Sequence, residues 1–305
     1  MFKKKECDIC GSTDREIIYS SKKISQNSSY FVTEENLSHP SRIARCNNCG
    51  FIFAIPSEDP NVFFNAYIKM VDEKYVEEEF GRRLSARSIL RKLNRFKKSG
   101  NKLLDIGCCT GFLLDEARNM GWDTSGVELS TWASRYATEK FNLKIYNMPL
   151  EKVVFPNEYF DIIIMQDTIE HLQYPRQALL EANRILKTNG ILYINTPDIV
   201  SFTSKILKAK WWGINQFHLY YFSKKSLSEI LNLSGFVVLK YDAYARIFTL
   251  NYWSERFRNY NSIIYRILKI VIRIKIFKKS FLRVNLRDQV EVFARKVVSK
   301  NKSYE

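Results

Sequence analysis

The chain has 305 residues, of which 46% are hydrophobic and 14% aromatic, and its formal net charge is +16. This composition excludes a disordered protein and allows one large domain or a domain with an appendage. No apolar run reaches the roughly 18–20 residues of a spanning helix, and residues 1–7 lack an apolar signal core, so we expect a cytoplasmic protein.

The positive charge is concentrated near the end of the chain. Residues 251–305 hold 14 Lys and Arg but only four acidic residues, a net charge of +10 out of +16. We therefore expect a basic surface that is separate from any catalytic site, and no nucleic-acid groove in that site.

Two Cys-x-x-Cys pairs open the chain, and their members are Cys7, Cys10, Cys46 and Cys49. Thiolates two residues apart can bind one metal from a tight turn, and two such turns complete a tetrahedral Zn²⁺ site. The alternatives are disulfides, which a cytoplasmic chain disfavours, or four unrelated thiols. We predict a zinc-binding head over residues 1–60 and a second domain over residues 61–305. Because four thiolates close the coordination shell, this Zn²⁺ is expected to be structural, and His39 in the same head is not expected to be catalytic.

A glycine turn follows the next buried strand. The apolar run Leu103–Ile106 stops at Gly107, and a helical pattern begins after Gly111. Glycines at such a turn let the backbone approach a ligand that a side chain would exclude. A second apolar run ends in Glu128, whose carboxylate is placed to accept both hydroxyls of a ribose. The turn and the acid together predict a nucleoside cofactor at the carboxyl ends of a parallel sheet.

The turn is not the dinucleotide fingerprint, because Cys109 holds the middle position. With Asp105 two residues before the first glycine, it resembles the first motif of class I methyltransferases, Asp/Glu-x-Gly-x-x-x-Gly. Three further segments resemble this family in consistent order: Phe155–Ile164 its fourth strand, Asp167–Leu172 its Glu-His element, and Arg184–Leu192 its arginine-containing helix and glycine turn. The resemblance covers roughly residues 82–297. It implies an α/β, Rossmann-like, seven-stranded sheet with helices on both faces, and S-adenosylmethionine as cofactor.

The resemblance also implies which residues hold the cofactor: Asp105, Gly107, Cys109, Gly111, Glu128, Leu129, Leu150 and Asp167. Asp105 is expected to order the glycine loop, Leu129 to cover the adenine, and Asp167 to meet the methionine ammonium. Many relatives carry an aspartate after the third strand that contacts the adenine. Pro149 stands at that position here, so the backbone of Leu150 is expected to take its place.

The remaining apolar periods predict a helix over Ser223–Ser234 and four strands at Phe160–Gln166, Ile191–Asn195, Phe236–Tyr241 and Gln289–Arg295. A helical insertion of residues 242–288 separates the last two strands. Its centre places Arg266, Lys269 and Arg273 on one helical face, until Lys275, Lys278 and Lys279 break the pattern. The insertion is either a cap packed on the sheet with a solvated basic rim, or an interfacial element that rests on anionic lipid.

Two histidines follow the predicted fourth and fifth strands. Methyl transfer is an in-line displacement that needs alignment, and an alcohol acceptor also needs a base. His171 lies at the rim where ligands bind in such sheets, and His218 lies among aromatic residues that could roof the acceptor. Either histidine could instead be satisfied by backbone or by the aromatic cluster. We expect His218 to be the base and His171 to hold the rim.

The ordered motifs predict an S-adenosylmethionine-dependent methyltransferase. The zinc head resembles that of methyltransferases acting on sugars or envelope glycans. The expected acceptor is a sugar hydroxyl of a cell-envelope or lipid-linked glycan, with peripheral contact to an anionic membrane through the insertion. The alternatives are a quinone-type phenol as acceptor, or an inactive binding protein on the same fold. The intact Asp105, Gly107, Gly111 and Glu128 argue against the inactive protein.

Overall fold

The computed structural model describes residues 6–20, 42–55, 60–96, 100–215, 217–258, 262–273 and 280–297. His39, Lys275, Lys278 and Lys279 lie outside these residues.

In chain order, the strands of the described residues are β1 (Arg15–Tyr19), β2 (Arg42–Cys46), β3 (Ile52–Ile55), β4 (Lys102–Ile106), β5 (Asp123–Val127), β6 (Ile145–Tyr146), β7 (Phe160–Gln166), β8 (Leu186–Pro197), β9 (Tyr220–Tyr221), β10 (Phe236–Ala243), β11 (Arg246–Thr249), β12 (Phe281–Val284) and β13 (Gln289–Lys296). The helices are α1 (Pro60–Ile68), α2 (Glu73–Glu77), α3 (Glu79–Leu93), α4 (Phe112–Asn119), α5 (Thr131–Phe141), α6 (Pro175–Ile185), α7 (Phe202–Leu207), α8 (Lys224–Leu233), α9 (Leu250–Arg258) and α10 (Ser262–Arg273).

A seven-stranded sheet forms the centre of the fold, with strand order β10-β13-β8-β7-β4-β5-β6. Strands β4 to β8 pair in parallel, and β13 enters antiparallel between β8 and β10. The predicted seven-stranded α/β sheet is therefore confirmed. Strand β8 starts five residues earlier than the predicted Ile191, because Leu186 already pairs with Phe160 of β7 before the Asn189–Gly190 turn.

Helices cover both faces of this sheet, as predicted. Alternate residues of β4 point to opposite sides, so Leu104 and Ile106 join one core cluster while Leu103 joins the other. Helices α6 and α8 supply the first cluster, and α3 and α4 supply the second. The continuous apolar run of β7 is typical of a parallel strand that is buried on both faces.

The N-terminal head contributes three antiparallel strands to a second sheet, whose order is β1-β2-β3-β9. Strand β9 comes from the far side of the chain, and its Tyr220 and Tyr221 pair with Phe53 and Ile52. The ring of Phe51 stacks on Tyr220 at a centroid distance of 5.8 Å. A sheet therefore crosses the predicted division at residue 60.

The insertion contains a hairpin in addition to the predicted helices. Strands β11 and β12 pair antiparallel across α9 and α10, a long-range pairing that sequence periodicity does not reveal. The hairpin lies on α3 at Gly81, where an added Cβ would come within 2.3 Å of the carbonyl oxygen of Ile247. The absence of a side chain at Gly81 thus seats the insertion against the core.

Helix α10 packs against α9 and buries none of its residues. Its apolar side chains Ile263, Ile267 and Ile270 are 68%, 55% and 63% exposed. The cap interpretation thus describes the hairpin and α9 but not α10. Within the described part of the chain, no helix has the length and apolar character needed to cross a bilayer.

Candidate functional site

A cavity of about 510 Å³ opens at the carboxyl ends of β4, β5 and β7. Loops that follow these strands form its floor, and residues 67–82 form one wall. The rest of the lining comes from residues 209–215 and 217–218 and from residues 246–256 of the insertion. Such crevices beyond the strand ends are where open α/β sheets bind ligands.

The glycine turn after β4 is held close to the loop after β7. Gly107 has φ 77° and Cys109 has φ 48°, both in the left-handed region. A Cβ on Gly107 would lie 2.5 Å from the hydroxyl oxygen of Thr168, whereas one on Gly111 would meet Leu143 rather than the cavity. Gly107 is therefore needed for the approach of two loops, and Gly111 is needed for packing behind them.

Two buried carboxylates line the floor. Glu128 is 2% exposed and accepts the backbone N–H of Cys109 at 2.8 Å and that of Ser130 at 2.7 Å. Asp105 is 3% exposed, and its Oδ1 has no hydrogen-bond partner. Burial raises the pKa of both carboxyl groups, and the charge of Glu128 further raises that of Asp105. An unpartnered carboxylate oxygen here suits a cationic or hydroxyl-bearing ligand.

Asp167 directly follows β7 and borders the cavity. Its Oδ1 accepts a hydrogen bond from Gln289 Nε2 at 2.5 Å. Burial raises the pKa of Asp167, although the charges of Arg246 and Arg82 oppose this effect. Asp167 is therefore a third acid that borders the cavity, in addition to Asp105 and Glu128.

The structure brings together five of the eight predicted cofactor residues. Asp105, Gly107, Cys109, Glu128 and Asp167 border the cavity, whereas Gly111, Leu129 and Leu150 do not. The Leu150 side chain is buried in the core, and its carbonyl accepts the N–H of Val153. The backbone carbonyl of Leu129 accepts a hydrogen bond from Asn147 Nδ2 at 3.0 Å instead of facing the cavity.

Sequence reasoning missed the cationic and aromatic wall beside the glycine turn. The guanidinium of Arg82 lies 3.4 Å from the ring centroid of Tyr75, which in turn stacks on Phe112 at the start of α4. Among the described residues, no carboxylate oxygen lies within 4 Å of Arg82. The helical period of α3 shows which residues face the core, and Arg82 is not one of them.

The two predicted histidines meet across the cavity. The rings of His171 and His218 pack edge to face at a centroid distance of 4.6 Å. His171 Nδ1 lies 2.9 Å from the carbonyl oxygen of Phe217, and His218 Nδ1 lies 2.7 Å from that of Gly213. Each Nδ1 therefore carries the proton, and each Nε2 keeps a free lone pair.

Burial keeps both rings neutral at physiological pH. It lowers the pKa of His171 to about 4, and burial together with the charge of His171 lowers the pKa of His218 well below its usual range. Both side chains are therefore present as acceptors of a proton.

Glu170 completes this cluster. Its Oε2 accepts the hydroxyl of Thr196 at 2.9 Å, and its buried Oε1 has no partner. Burial raises the pKa of Glu170 well above its usual range. One ligand atom from each of Glu170, His171 and His218 lies within 4.8 Å of the others. Groups at this separation can pass a proton or share a cation.

The four head cysteines converge at a separate site. Their sulfurs lie within 4.8 Å of one another, with Cys7–Cys49 and Cys10–Cys46 each at 3.5 Å, and none is in a disulfide. A tetrahedral site with Zn–S bonds of about 2.3 Å places sulfurs roughly 3.8 Å apart, so this donor set fits Zn²⁺. The backbone N–H of Gly11 bonds to Cys7 as that of Gly50 does to Cys46. The repeated Cys-x-x-Cys-Gly was a signal that the first pair also turns sharply.

Comparison with known proteins agrees with this geometry. A family model described as a methyltransferase domain matches residues 78–241, more than half of the chain. The ubiquinone biosynthesis O-methyltransferase of Pelagibacter ubique is 27% identical over 171 residues, which cover 53% of this chain and 68% of that protein. The mitochondrial ubiquinone biosynthesis O-methyltransferase of Schizosaccharomyces pombe is 30% identical over 115 residues, which cover 35% of this chain and 41% of that protein. The chain thus spans between about two fifths and two thirds of these curated relatives.

Solved structures share the fold at low identity. An S-adenosylmethionine-dependent methyltransferase of Archaeoglobus fulgidus superposes with a TM-score of 0.50 at 21% identity, covering 74% of this chain and 100% of that one. A methyltransferase of Thermotoga maritima has a TM-score of 0.50 at 19% identity, covering 73% of this chain and 93% of the other. The chain therefore belongs to the methyltransferase-domain family and is a class I S-adenosylmethionine-dependent methyltransferase.

Proposed function

We propose that the protein methylates a hydroxyl oxygen of a sugar, in cell-envelope or lipid-linked glycan biosynthesis. The observation that carries this proposal is the pair of neutral histidines with free Nε2 atoms at the acceptor side of the cavity. An alcohol holds its proton more tightly than a phenol does, so a sugar acceptor has the greater need of a base. Mass spectrometry of envelope glycans from strains with and without the gene tests it. The expected difference is one CH₂ group in a glycan, and a glycan profile identical in the two strains would contradict it.

The second candidate acceptor is a quinone-type phenol. It is supported by the relatives named ubiquinone biosynthesis O-methyltransferases. Methyl transfer to a phenol in vitro, without transfer to sugar acceptors, would favour this candidate.

The acids of the cavity floor would hold both the ribose and the methionine part of S-adenosylmethionine. Glu128 would accept the ribose hydroxyls on the lone pairs that Cys109 and Ser130 leave free. Asp167 and the unpartnered oxygen of Asp105 would face the methionine ammonium, with Asp105 also ordering the loop. Bound S-adenosylmethionine supplies an electrophilic methyl group on a sulfonium.

His218 would take the acceptor proton on Nε2 as the new C–O bond forms and the C–S bond breaks. Its Nδ1–H stays on the carbonyl of Gly213, which fixes the ring. His171, bonded to Phe217, would hold the rim in place.

Glu128→Gln should weaken S-adenosylmethionine binding by about 2–3 kcal/mol, because the charge that pairs with the ribose hydroxyls is lost. The amide oxygen can still accept one backbone N–H, so the loop should survive. Calorimetry gives the affinity, and the exposed Glu139→Gln serves as control. An affinity within twofold of the parent would mean that the ribose lies elsewhere.

His218→Ala should lower turnover by about 10²- to 10⁴-fold with cofactor affinity intact, and His171→Ala should disturb rate and binding together. A base acts in its neutral form, and burial lowers the pKa of both rings. The kcat/KM of the parent should therefore stay level from about pH 8 to about pH 5, without a fall near the usual histidine pKa of about 6.5. The roles would exchange if the two variants showed the reverse pattern, and an acid limb near pH 6.5 would contradict the assignment.

We further propose that Cys7, Cys10, Cys46 and Cys49 bind one structural Zn²⁺. A head of this size buries too little surface to fold alone, so metal would supply part of its folding energy. The close convergence of the four sulfurs supports this role.

Elemental analysis should find one Zn²⁺ per chain, and Cys46→Ser should lose it and lower the melting temperature. Because β9 pairs with β3, turnover should also fall while cofactor affinity remains. The matched control is Cys108→Ser, which removes a thiol outside the cluster and should retain the metal. Purified protein that lacks zinc and melts like the parent would refute the site.

We also propose that the protein acts in the cytoplasm, peripherally at the inner face of an anionic membrane. The exposed apolar face of α10 would enter the interface, and Arg266 and Arg273 beside it would meet lipid phosphates.

Vesicles with anionic lipid should sediment the protein more strongly than neutral vesicles, by about 1 kcal/mol for each basic residue near the surface, and salt should weaken binding. Replacing Ile263, Ile267 and Ile270 by Ser should abolish the effect. Leu180→Ser, which removes an isolated exposed apolar side chain on α6, should leave it unchanged. Equal sedimentation with both lipids would exclude the proposal.

A further inference from the structure

Trp212, Arg246 and Arg256 form one part of the cavity lining, named the acceptor wall. This wall contains a preorganised cation. Trp212 Nε1 donates to Asp288 Oδ2 at 2.5 Å, which fixes the indole. The guanidinium of Arg246 stacks on this ring with Cζ 3.9 Å from the centroid. Arg246 and Trp212 both border the cavity. The plane of the guanidinium is thus set by packing before any ligand arrives.

The hydrogen bonds of Arg246 leave one edge unused. Its Nε donates to Gln289 Oε1 at 3.1 Å, and one terminal nitrogen lies 3.7 Å from Asp288 Oδ2. The other terminal nitrogen, Nη2, is buried and has no partner. A buried N–H group without an acceptor is costly and rare in native proteins. An anionic ligand in the cavity would supply that acceptor.

A second guanidinium borders the same ring. Arg256 Cζ lies 5.7 Å from the Trp212 centroid, and one of its terminal nitrogens donates to the Tyr252 hydroxyl at 2.8 Å. Two arginines beside one indole concentrate positive charge on the acceptor wall. Arginine is the side chain best suited to hold phosphate or carboxylate oxygens in pairs.

Two acids near this wall, Asp288 and Glu255, already have partners. Asp288 holds Trp212, and Glu255 pairs with Lys269 at 2.6 Å. Arg82 lies instead over Tyr75 beside the glycine turn. Nη2 of Arg246 is therefore left for the acceptor.

We propose that the acceptor carries an anionic group, a phosphate or a carboxylate, which binds to Nη2 of Arg246 beside Trp212, close to the positive charge of Arg256. This inference rests on the proposed methyl transfer and narrows its substrate to a phosphate-linked or acidic sugar. A neutral quinone-type phenol would leave Arg246 Nη2 unpaired, so the same contacts disfavour that candidate.

Calorimetry on the enzyme loaded with S-adenosylhomocysteine tests the proposal, with pyrophosphate and glucuronate as separate probes. At least one probe should bind at a single site, and the stronger one identifies the phosphate or the carboxylate as the source of charge. Arg246→Gln should weaken that binding by about tenfold or more while S-adenosylhomocysteine affinity stays within twofold. Arg256→Gln provides a second variant if the first is unstable.

The matched control is Arg258→Gln, on the same helix as Arg256 but outside the cavity, and it should bind the probe like the parent. Probe binding no stronger than that of chloride, or equal in Arg246→Gln and parent, would overturn the anion site while leaving methyl transfer intact. A parallel loss of S-adenosylhomocysteine affinity in Arg246→Gln would also overturn it, because Arg246 would then serve the cofactor. Failure of the parent to bind S-adenosylhomocysteine would overturn the proposed function itself.

Discussion

The cavity depends on one buried carboxylate. Glu128 holds the N–H groups of Cys109 and Ser130, so a single side chain ties the turn after β4 to the start of α5. Ser130 passes this constraint on, because its hydroxyl donates to the carbonyl of Met70 on the covering wall. A carboxylate without such donors would be expensive to bury, and the donors without it would lose their acceptor. Floor and wall are therefore positioned by the same short chain of hydrogen bonds.

The sequence was most informative where one residue type serves one physical need. Strand β7 was predicted with its observed ends, because its centre, Ile162–Met165, is a continuous apolar run typical of a strand buried on both faces. Gly107, Asp105 and Glu128 were recognisable because they stand at strand ends, where a parallel sheet gathers its ligand-binding groups. His171 was expected at the rim and His218 among the aromatic residues over the acceptor, but their ring contact depends on the path of the segment between them.

The acceptor wall could not be predicted from the sequence, because its contacts join residues that are far apart in the chain. The orientation of Arg246 depends on its contacts with Trp212 and Gln289, which are distant in sequence. The excess of basic residues after position 251 was expected to form a surface apart from the site, yet Arg256 borders the cavity. The number of basic residues in a segment gives its net charge but does not show which of their side chains border the cavity. The hairpin that orients these arginines forms by pairing across two helices, which no local period can encode.

Strand β9 links the head to the segment that carries His218. Tyr220 and Tyr221 begin two residues after His218 and pair with the strand that leaves the second cysteine turn. On the other side, Asn215 Oδ1 accepts the N–H of His218 at 3.1 Å. His218 therefore lies between Asn215, which accepts its backbone N–H, and the sheet that β9 forms with the strands of the head. Removal of the head would take away β3 and leave β9, and with it the segment that carries His218, without its pairing strand.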